Sequence, residues 1–429
     1  RAHWRAALPL SGVPCAPCGA PARPRTPGSP QMNRRTDSAE RPRTPGRAAA
    51  YAESRKRPGR GWTVATVSLC MIVRDEEAVL ARCLESVRGA VDEIIIVDTG
   101  STDRTRQIAA RYTGRVYDFA WIDDFSAARN FAFSKAAMEF SMWLDADDVL
   151  LPEDRAAFLA LKETLPDDVD AVMMRYHTAF DEQGRPTFTF YRERLVRTAV
   201  PHRWQGRVHE TLLHEGRGRT LYSAAAVTHR SHKTAYPDRN LRIYEKQIAA
   251  GEPLTPRDAF YYGRELYYHG AYARACAVLE TYLAQGRGWA ENDIEACKVL
   301  ARCRSALGDA AGAMDALGRS LRYGLPRAEV CCEMGALWLQ AGRCREAAFW
   351  YELALTLPRS DESGAFVSED CYGYLPCIQL CVCYDRLGDH ARAEAYNRRA
   401  GEYRPASPAY LHNLAYFESL ARTQPAPQE

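Results

Sequence analysis

Carboxylates at the ends of two apolar runs are the residues of this chain best placed to do chemistry. In IIIVDTGSTD (residues 94–103) and MWLDADD (residues 142–148) a buried-type strand pattern ends in aspartates, and the carboxyl ends of strands are where open α/β sheets bind ligands. An Asp-x-Asp pair such as Asp145 and Asp147 offers hard oxygen ligands to a divalent cation, Mn²⁺ or Mg²⁺. A cation held there can neutralise a diphosphate leaving group. Each segment also has a plainer reading. Asp98 alone fits a capping turn, and Asp145 to Asp148 fit an acidic helix start before Pro152.

The elements that must position these acids alternate in type. Residues 64–73 read as a buried strand rich in β-branched residues, and the acidic stretch 74–77 then starts a helix on which Val79, Leu80, Cys83, Leu84 and Val87 recur at helical spacing. A strand at 93–97 leads through the turn at 98–103 to a helix beginning near Arg104; Gly100 permits close backbone approach, and Ser101 or Asp103 can cap. A short strand at 116–119, a helix at 126–137 and the strand ending in LDADD continue the alternation, which predicts a mainly parallel sheet. After Pro152 come a helix at 153–163, extended stretches at 171–180 and 188–196 forming a mixed edge of the sheet, and a helix at 238–250.

From Asp258 onward helix follows helix. Gly270, Gly308, Gly342 and Gly388 each precede an alanine by five positions, and their separations of 38, 34 and 46 residues lie close to the tetratricopeptide period of about 34 with insertions in the outer two. Pro326, Pro358 and Pro405 fall near the ends of second helices, and residues 408–422 supply a terminal helix capped by Ser407. Such units bury their apolar faces only by stacking, so one solenoid is expected.

Charge is distributed unevenly along the 429 residues. Residues 1–61 hold 13 Lys or Arg against 3 Asp or Glu, a net +10, so the rest of the chain is net −7 although the whole is +3. An acidic body argues against a nucleic-acid-binding surface. The basic stretch is rich in Pro, Arg, Gly and Ala without hydrophobic periodicity and reads as a disordered tail. A mitochondrial-type transit peptide is the alternative, opposed by its many prolines, and Met32 offers a start within it. Cys15 and Cys18 form a lone C-x-x-C with no second pair at zinc-ligand spacing. Most of the 14 cysteines lie on helical patterns in the C-terminal half, as buried thiols in a reducing compartment do. No apolar run approaches the roughly 20 residues needed to span a bilayer, and the chain is expected to be soluble and cytoplasmic. The organisation predicted is a tail at 1–61, an α/β domain at 62–250 and an all-α repeat domain at 256–424.

Residues 66–250 resemble a family 2 glycosyltransferase with the A-type nucleotide-diphospho-sugar transferase fold, a mixed sheet with helices on both faces. The segments that carry the resemblance are SLCMIVRDEEAVLARCLESV, VDEIIIVDTGSTDRT, WIDDFSAARNFAFSKA and WLDADD. With the α-helical tetratricopeptide solenoid behind them, the order is similar to bacterial glycosyltransferases fused to such repeats, a group that includes S-glycosyltransferases of peptide bacteriocins.

The resemblance implies roles for individual residues. Asp98 would accept the imide hydrogen of uracil, Asp145 would bind ribose hydroxyls, and Asp147 would coordinate Mn²⁺ or Mg²⁺, with Asp148 a ligand or an orienting group. Arg129 in the SAARN segment would lie near the nucleotide, or else pair with a surface acid. Asp123 and Asp124 supply N-terminal charge to the same helix. The segments RERLVR (192–197) and WQGRVHE (204–210) would close over the sugar, with Arg194 and Arg197 on phosphate and Trp204 either against the sugar face or in the core. An inverting transfer needs a base opposite the departing diphosphate. Glu210 is the first candidate and His209 the competing one, since this chain has His-Glu where many members have Glu-Asp. His229 would complete the metal site, although Arg230 and the short link to 238–240 depart from the family's pattern.

The expected function is metal-dependent transfer of a sugar from a nucleotide-sugar donor, a UDP-sugar, to a peptide, glycan or lipid-linked acceptor, with inversion, the repeats binding acceptor or a partner protein. The alternative is a noncatalytic tetratricopeptide adaptor whose sheet is only structural. A nucleotidyltransferase ranks third, since no glycine-rich phosphate loop follows the first strand.

Overall fold

The computed structural model describes residues 64–232, 237–359 and 364–423. The tail at 1–61, with Cys15, Cys18 and Met32, lies outside the described residues.

The first strand, β1 (Val67–Val73), is buried on both faces, as a central parallel strand must be. Helix α1 (Leu80–Ser86), β2 (Glu93–Asp98), α2 (Thr105–Ala109), β3 (Val116–Asp118), α3 (Phe125–Phe133) and β4 (Phe140–Trp143) follow in alternation. β1 pairs in parallel with β2 on one side and β4 on the other, and β2 pairs in parallel with β3. The helix expected from residue 74 begins six residues later. Asp75 adopts a φ of 52°, and the backbone N–H groups of Asp75, Glu76 and Glu77 donate to Ser101, Thr105 and Asp103 across the neighbouring turn. Those tertiary hydrogen bonds compete with the first helical turn and prevail over the acidic start signal.

Beyond β5 (Asp148–Val149) and α4 (Pro152–Thr164) the sheet becomes mixed. It gains β6 (Val169–Phe180), β7 (Pro186–Arg197) and, past the two-stranded hairpin β8 (His202–Gln205) and β9 (Thr211–His214), β10 (Arg219–His229). Strand order is β3-β2-β1-β4-β7-β6-β10-β5. β7 runs antiparallel to both β4 and β6, and β10 is parallel to β6. The 202–214 hairpin and the full length of β10 were not expected from the sequence. The hairpin strands are short and interrupted by polar residues, so they carry too little alternation to register.

Helix α5 (Arg239–Ala249) leads to the helical half. Four helix pairs follow: α6 (Pro256–Tyr268) with α7 (Tyr272–Gln285), α8 (Ala290–Ala306) with α9 (Ala310–Arg319), α10 (Ala328–Gln340) with α11 (Cys344–Ala354), and α12 (Tyr374–Arg386) with α13 (His390–Tyr403), closed by α14 (Pro408–Thr423). Each glycine of the repeated frame ends a first helix in the left-handed region, with φ of 72°, 83°, 74° and 82°. The alanines five residues on, Ala275, Ala313, Ala347 and Ala393, are fully buried where the paired helices meet. The 46-residue spacing has a structural use. Its extra length forms β11 (Val367–Ser368) and a 3₁₀ turn at Glu369–Tyr372, and β11 pairs antiparallel with Phe188 and Thr189 of β7.

One apolar cluster runs without a break from Val67, Leu69 and Met71 through Tyr244 and Phe260 into Leu279, Leu300 and Phe366. The sheet and the first repeats therefore share a core, and a second cluster fills the later repeats. No helix among the described residues is long and apolar enough to cross a membrane. All the described cysteines are free.

Candidate active site

The strand order reverses at β1, whose two parallel neighbours β2 and β4 lead to the two acidic segments. Asp98 ends β2 opposite Val73, and Asp145 to Asp148 follow the end of β4. A reversal of this kind opens a crevice at the carboxyl ends of the strands, so both segments border one crevice.

Asp98 is 2% exposed. Its Oδ1 accepts from the backbone N–H groups of Gly100 and Ser101, both at 2.9 Å, which makes it the turn residue that the plainer reading foresaw. Its Oδ2 is buried without a hydrogen-bond partner. A buried oxygen left unmatched is costly, and a ligand donor would satisfy it.

On the other side, Asp147, Asp148 and His229 bring one potential ligand atom each within 4.8 Å of one another. Antiparallel pairing of β10 with β5 sets His229 opposite Asp148, and the Arg230 N–H donates to the Asp147 carbonyl at 2.8 Å. Burial pushes the Asp147 carboxyl up to about 6; His229 opposes the shift, and Asp148, Asp145 and Glu76 reinforce it. Burial works against charge on His229, yet Asp148 and Asp147 hold its pKa above the ordinary value. Asp148 is fully buried and saturated: Oδ1 accepts from Tyr176 at 2.8 Å and lies 3.2 Å from His229 Nδ1, and Oδ2 accepts from Arg194 and the Asp145 N–H, both at 3.1 Å. Its carboxylate orients its neighbours and has little capacity left for an ion. The Asp147 carboxylate and the His229 imidazole suit Mn²⁺ or Mg²⁺, and a cation would relieve the repulsion that adds to burial in raising Asp147.

Arg129 links the two halves of the site. Its Nη2 donates to Asp145 at 2.7 Å and its Nε to Glu210 at 2.5 Å, while the guanidinium lies 4.7 Å from the Trp143 ring and 5.1 Å from Trp204. Burial opposes its charge, but Asp145 and Glu210 keep its pKa above the ordinary value. It is 6% exposed, so the surface-pair reading does not hold. Burial alone would raise the Glu210 carboxyl; Arg129 holds it below the usual range, and it is ionised at neutral pH.

The structure departs from the expectations for Arg194 and Arg197 and gives Trp204 the second of its two readings. Arg194 does not reach phosphate: it is fully buried, ion-paired with Asp148, and stacked at 3.9 Å on Trp143 and 4.4 Å on Tyr176. Trp204 takes the core position that was one of its two readings. At 1% exposure it packs edge-on against Trp143 and Phe133 in the core beneath Arg129. Arg197 is spent on Glu139 and on the carbonyls of Asp167 and Val169. In each case an aromatic or carboxylate partner far along the chain captures the side chain.

The two candidate bases point apart. Glu210 meets Arg129, whereas His209 turns to α6, where its Nε2 lies 2.7 Å from Glu265 and its ring stacks on Tyr261 at 4.2 Å. Asp124 caps α3 by accepting from the Ala127 N–H, and Asp123 pairs with Lys246 of α5. One residue outside the expected site is Arg239, at the start of α5. Its guanidinium stacks on Phe125 at 4.5 Å, one helical turn before Arg129, and feels the charges of Glu210, Glu76 and Asp145. Nothing local marks it, because it stands more than a hundred residues from the helix it packs on.

Comparison with known proteins agrees with this arrangement. Residues 68–213 match the model of glycosyl transferase family 2. A TPR repeat-containing protein of Synechococcus elongatus is 32% identical over 334 residues, covering 76% of this chain and 75% of that one. The SPbeta prophage-derived glycosyltransferase SunS of Bacillus subtilis is 27% identical over 214 residues, covering 47% of this chain and 49% of that one. An uncharacterized glycosyltransferase of Rickettsia typhi is 34% identical over 87 residues, 20% of this chain and 30% of that one. With acidic strand ends at the reversal point of an A-type sheet and tetratricopeptide pairs behind it, the chain belongs to the family 2 glycosyltransferases fused to C-terminal tetratricopeptide repeats.

Proposed function

We propose that the protein transfers a sugar from a nucleotide-sugar donor, a UDP-sugar, to an acceptor with inversion and with the help of Mn²⁺ or Mg²⁺. The observation that carries the reading is the convergence of Asp147, Asp148 and His229 within 4.8 Å at the same strand ends as Asp98. Asp147 and His229 would hold the cation, and Asp148 would orient both. When bound, the ion would neutralise the diphosphate as it leaves. The unmatched Oδ2 of Asp98 suits the imide N–H of uracil. Asp145, fixed by Arg129, would present its remaining oxygen to the ribose hydroxyls.

In the transfer, the acceptor atom attacks the anomeric carbon from the face opposite the diphosphate, the carbon–oxygen bond to the diphosphate breaks, and the acceptor proton passes to the Glu210 carboxylate. Glu210 is in the ionised state this step requires. Arg129 holds Glu210 and Asp145 in fixed relation, so the base and the donor site move as one unit. The acceptor is a peptide, a glycan or a lipid-linked intermediate. The stacked helix pairs offer extended surface for it or for a partner protein.

The test is Asp147→Ala in the full chain. Manganese-stimulated release of UDP from UDP-glucose, UDP-galactose or UDP-N-acetylglucosamine is expected to vanish while the melting temperature holds; unchanged release would reject the metal assignment. A noncatalytic adaptor would have no use for the unmatched Asp98 oxygen, and calorimetric titration with UDP and Mn²⁺ distinguishes it by giving no heat.

A further inference from the structure

The loop that carries Glu210 is built as much against the repeats as against the sheet. Within it, His209 has a φ of 50°. That left-handed conformation is uncommon in residues other than glycine, and contacts around His209 help to hold it. The contacts come from one helix. Glu265 meets His209 Nε2 at 2.7 Å, Tyr261 stacks on the imidazole at 4.2 Å, and Arg257 donates from Nε and Nη2 to the His209 carbonyl at 3.2 and 3.0 Å. These three residues are spaced by four along α6, the first helix of the repeats, and so lie on a single face.

The same Glu265 oxygen also accepts from Asn240 Nδ2 at 3.2 Å. Asn240 follows Arg239, the residue stacked on Phe125. Because a carboxylate only accepts and Asn240 donates, the imidazole presents Nε2–H to it. One buried carboxylate thus fastens two pieces of the site: the loop whose next residue, Glu210, reaches Arg129 at 2.5 Å, and the start of α5. Turning His209 toward α6 sends the side chain of Glu210 the other way, to Arg129, which joins it to Asp145.

We infer that Glu265, supported by Tyr261 and Arg257, is a positioning residue that sets the orientation of the Glu210 loop, so that the first repeat helix is a working part of the transfer site. This rests on the reading of Glu210 as the base. It gives the repeats a role in the chemical step, in addition to any surface they offer to an acceptor or partner.

The experiment compares the full-length wild type with Glu265→Leu and Glu265→Gln. Three quantities are measured: steady-state UDP release from the three UDP-hexoses with Mn²⁺, the affinity for UDP with Mn²⁺ by calorimetry, and the melting temperature. Displacing a catalytic loop by about 1 Å can cost on the order of 100-fold in rate. Glu265→Leu is therefore expected to lose about 100-fold in kcat with donor KM and UDP affinity unchanged. Glu265→Gln keeps an oxygen that accepts from His209 and Asn240 and should retain most of the wild-type kcat. Should Glu265→Leu fail to fold, Arg257→Met removes the two hydrogen bonds to the His209 carbonyl from a half-buried position and is read in the same way. A folded Glu265→Leu or Arg257→Met with wild-type kcat overturns the inference, as does an equal loss in the Leu and Gln variants. A wild-type chain that releases no UDP from any of the donors removes the glycosyltransferase reading itself, and this inference with it.

Discussion

Arg129 is the side chain on which the charges of the site balance. With 6% exposure and two carboxylates on one guanidinium, it forms a buried ion triplet, which is destabilised far more by losing its centre than by being replaced whole. Arg129→Leu would leave Glu210 buried, and Asp145 half-buried, without a counter-charge and should lower stability by about 3–5 kcal/mol in urea unfolding. Arg129→Lys keeps the charge but not the fork that spans both acids through Nε and Nη2. It should therefore fold better than the leucine variant and still lose UDP release; a lysine variant with full turnover would show that bridging is unnecessary. Arg194 behaves differently. It pairs with Asp148 at the back of the same acids, so its loss should appear mainly as instability and only through Asp148 as a change in metal affinity.

At the scale of elements, helix ends and buried charges in the repeats govern stability. A Cβ added at Gly388 would meet nothing within 4 Å, so the cost of Gly388→Ala is conformational alone. With φ at 82°, about 1–2 kcal/mol of destabilisation is expected from equilibrium unfolding. Helix α8 is buried nearly all round and carries Glu295 inside, 2.7 Å from Lys298. Burial would raise the Glu295 carboxyl, but Lys298 and Arg302 bring it from 4.5 down to about 2. A depressed carboxylate contributes stability that is fully present above its unfolded pKa and is lost as the pH falls through the folded one. Stability should thus decline between about pH 4.5 and pH 2 by about 3 kcal/mol from this group. Glu295→Gln should flatten that stretch of the pH profile; a profile of unchanged slope would assign the acid sensitivity elsewhere.

For the molecule as a whole, the shared core and β11 join sheet and repeats. Phe366 stacks on Phe188, meets Phe190 edge-on at 5.4 Å and lies under Arg264 at 4.8 Å, so a residue of the repeat insertion fills a gap on the long strand β7. Truncation of a buried phenylalanine costs about 3–5 kcal/mol. Phe366→Ala is expected to lose that much and to split one calorimetric transition into two, with the sheet and the later repeats melting apart. A single transition in the variant would mean that the apolar cluster shared by α6 and the sheet suffices for cooperativity.

Much of this architecture is written locally. The alternation of apolar runs with helical spacing, the aspartates at strand ends and the glycine-to-alanine frame of the repeats all follow from backbone period and turn chemistry, which act over a few residues. Those signals determined the mixed sheet followed by helical pairs, and they singled out Asp98 and Asp145 to Asp148. Tertiary structure alone decided which charged groups are spent and which are free. Glu210 finds Arg129 from 81 residues away, His209 finds Glu265 from 56, and Arg194 finds Asp148 from 46. Burial and ion pairing depend on such distant partners, whose identity no local pattern encodes. Arg194 and Trp204 thus belong to the core, and a glutamate of the first repeat stands behind the loop that carries Glu210.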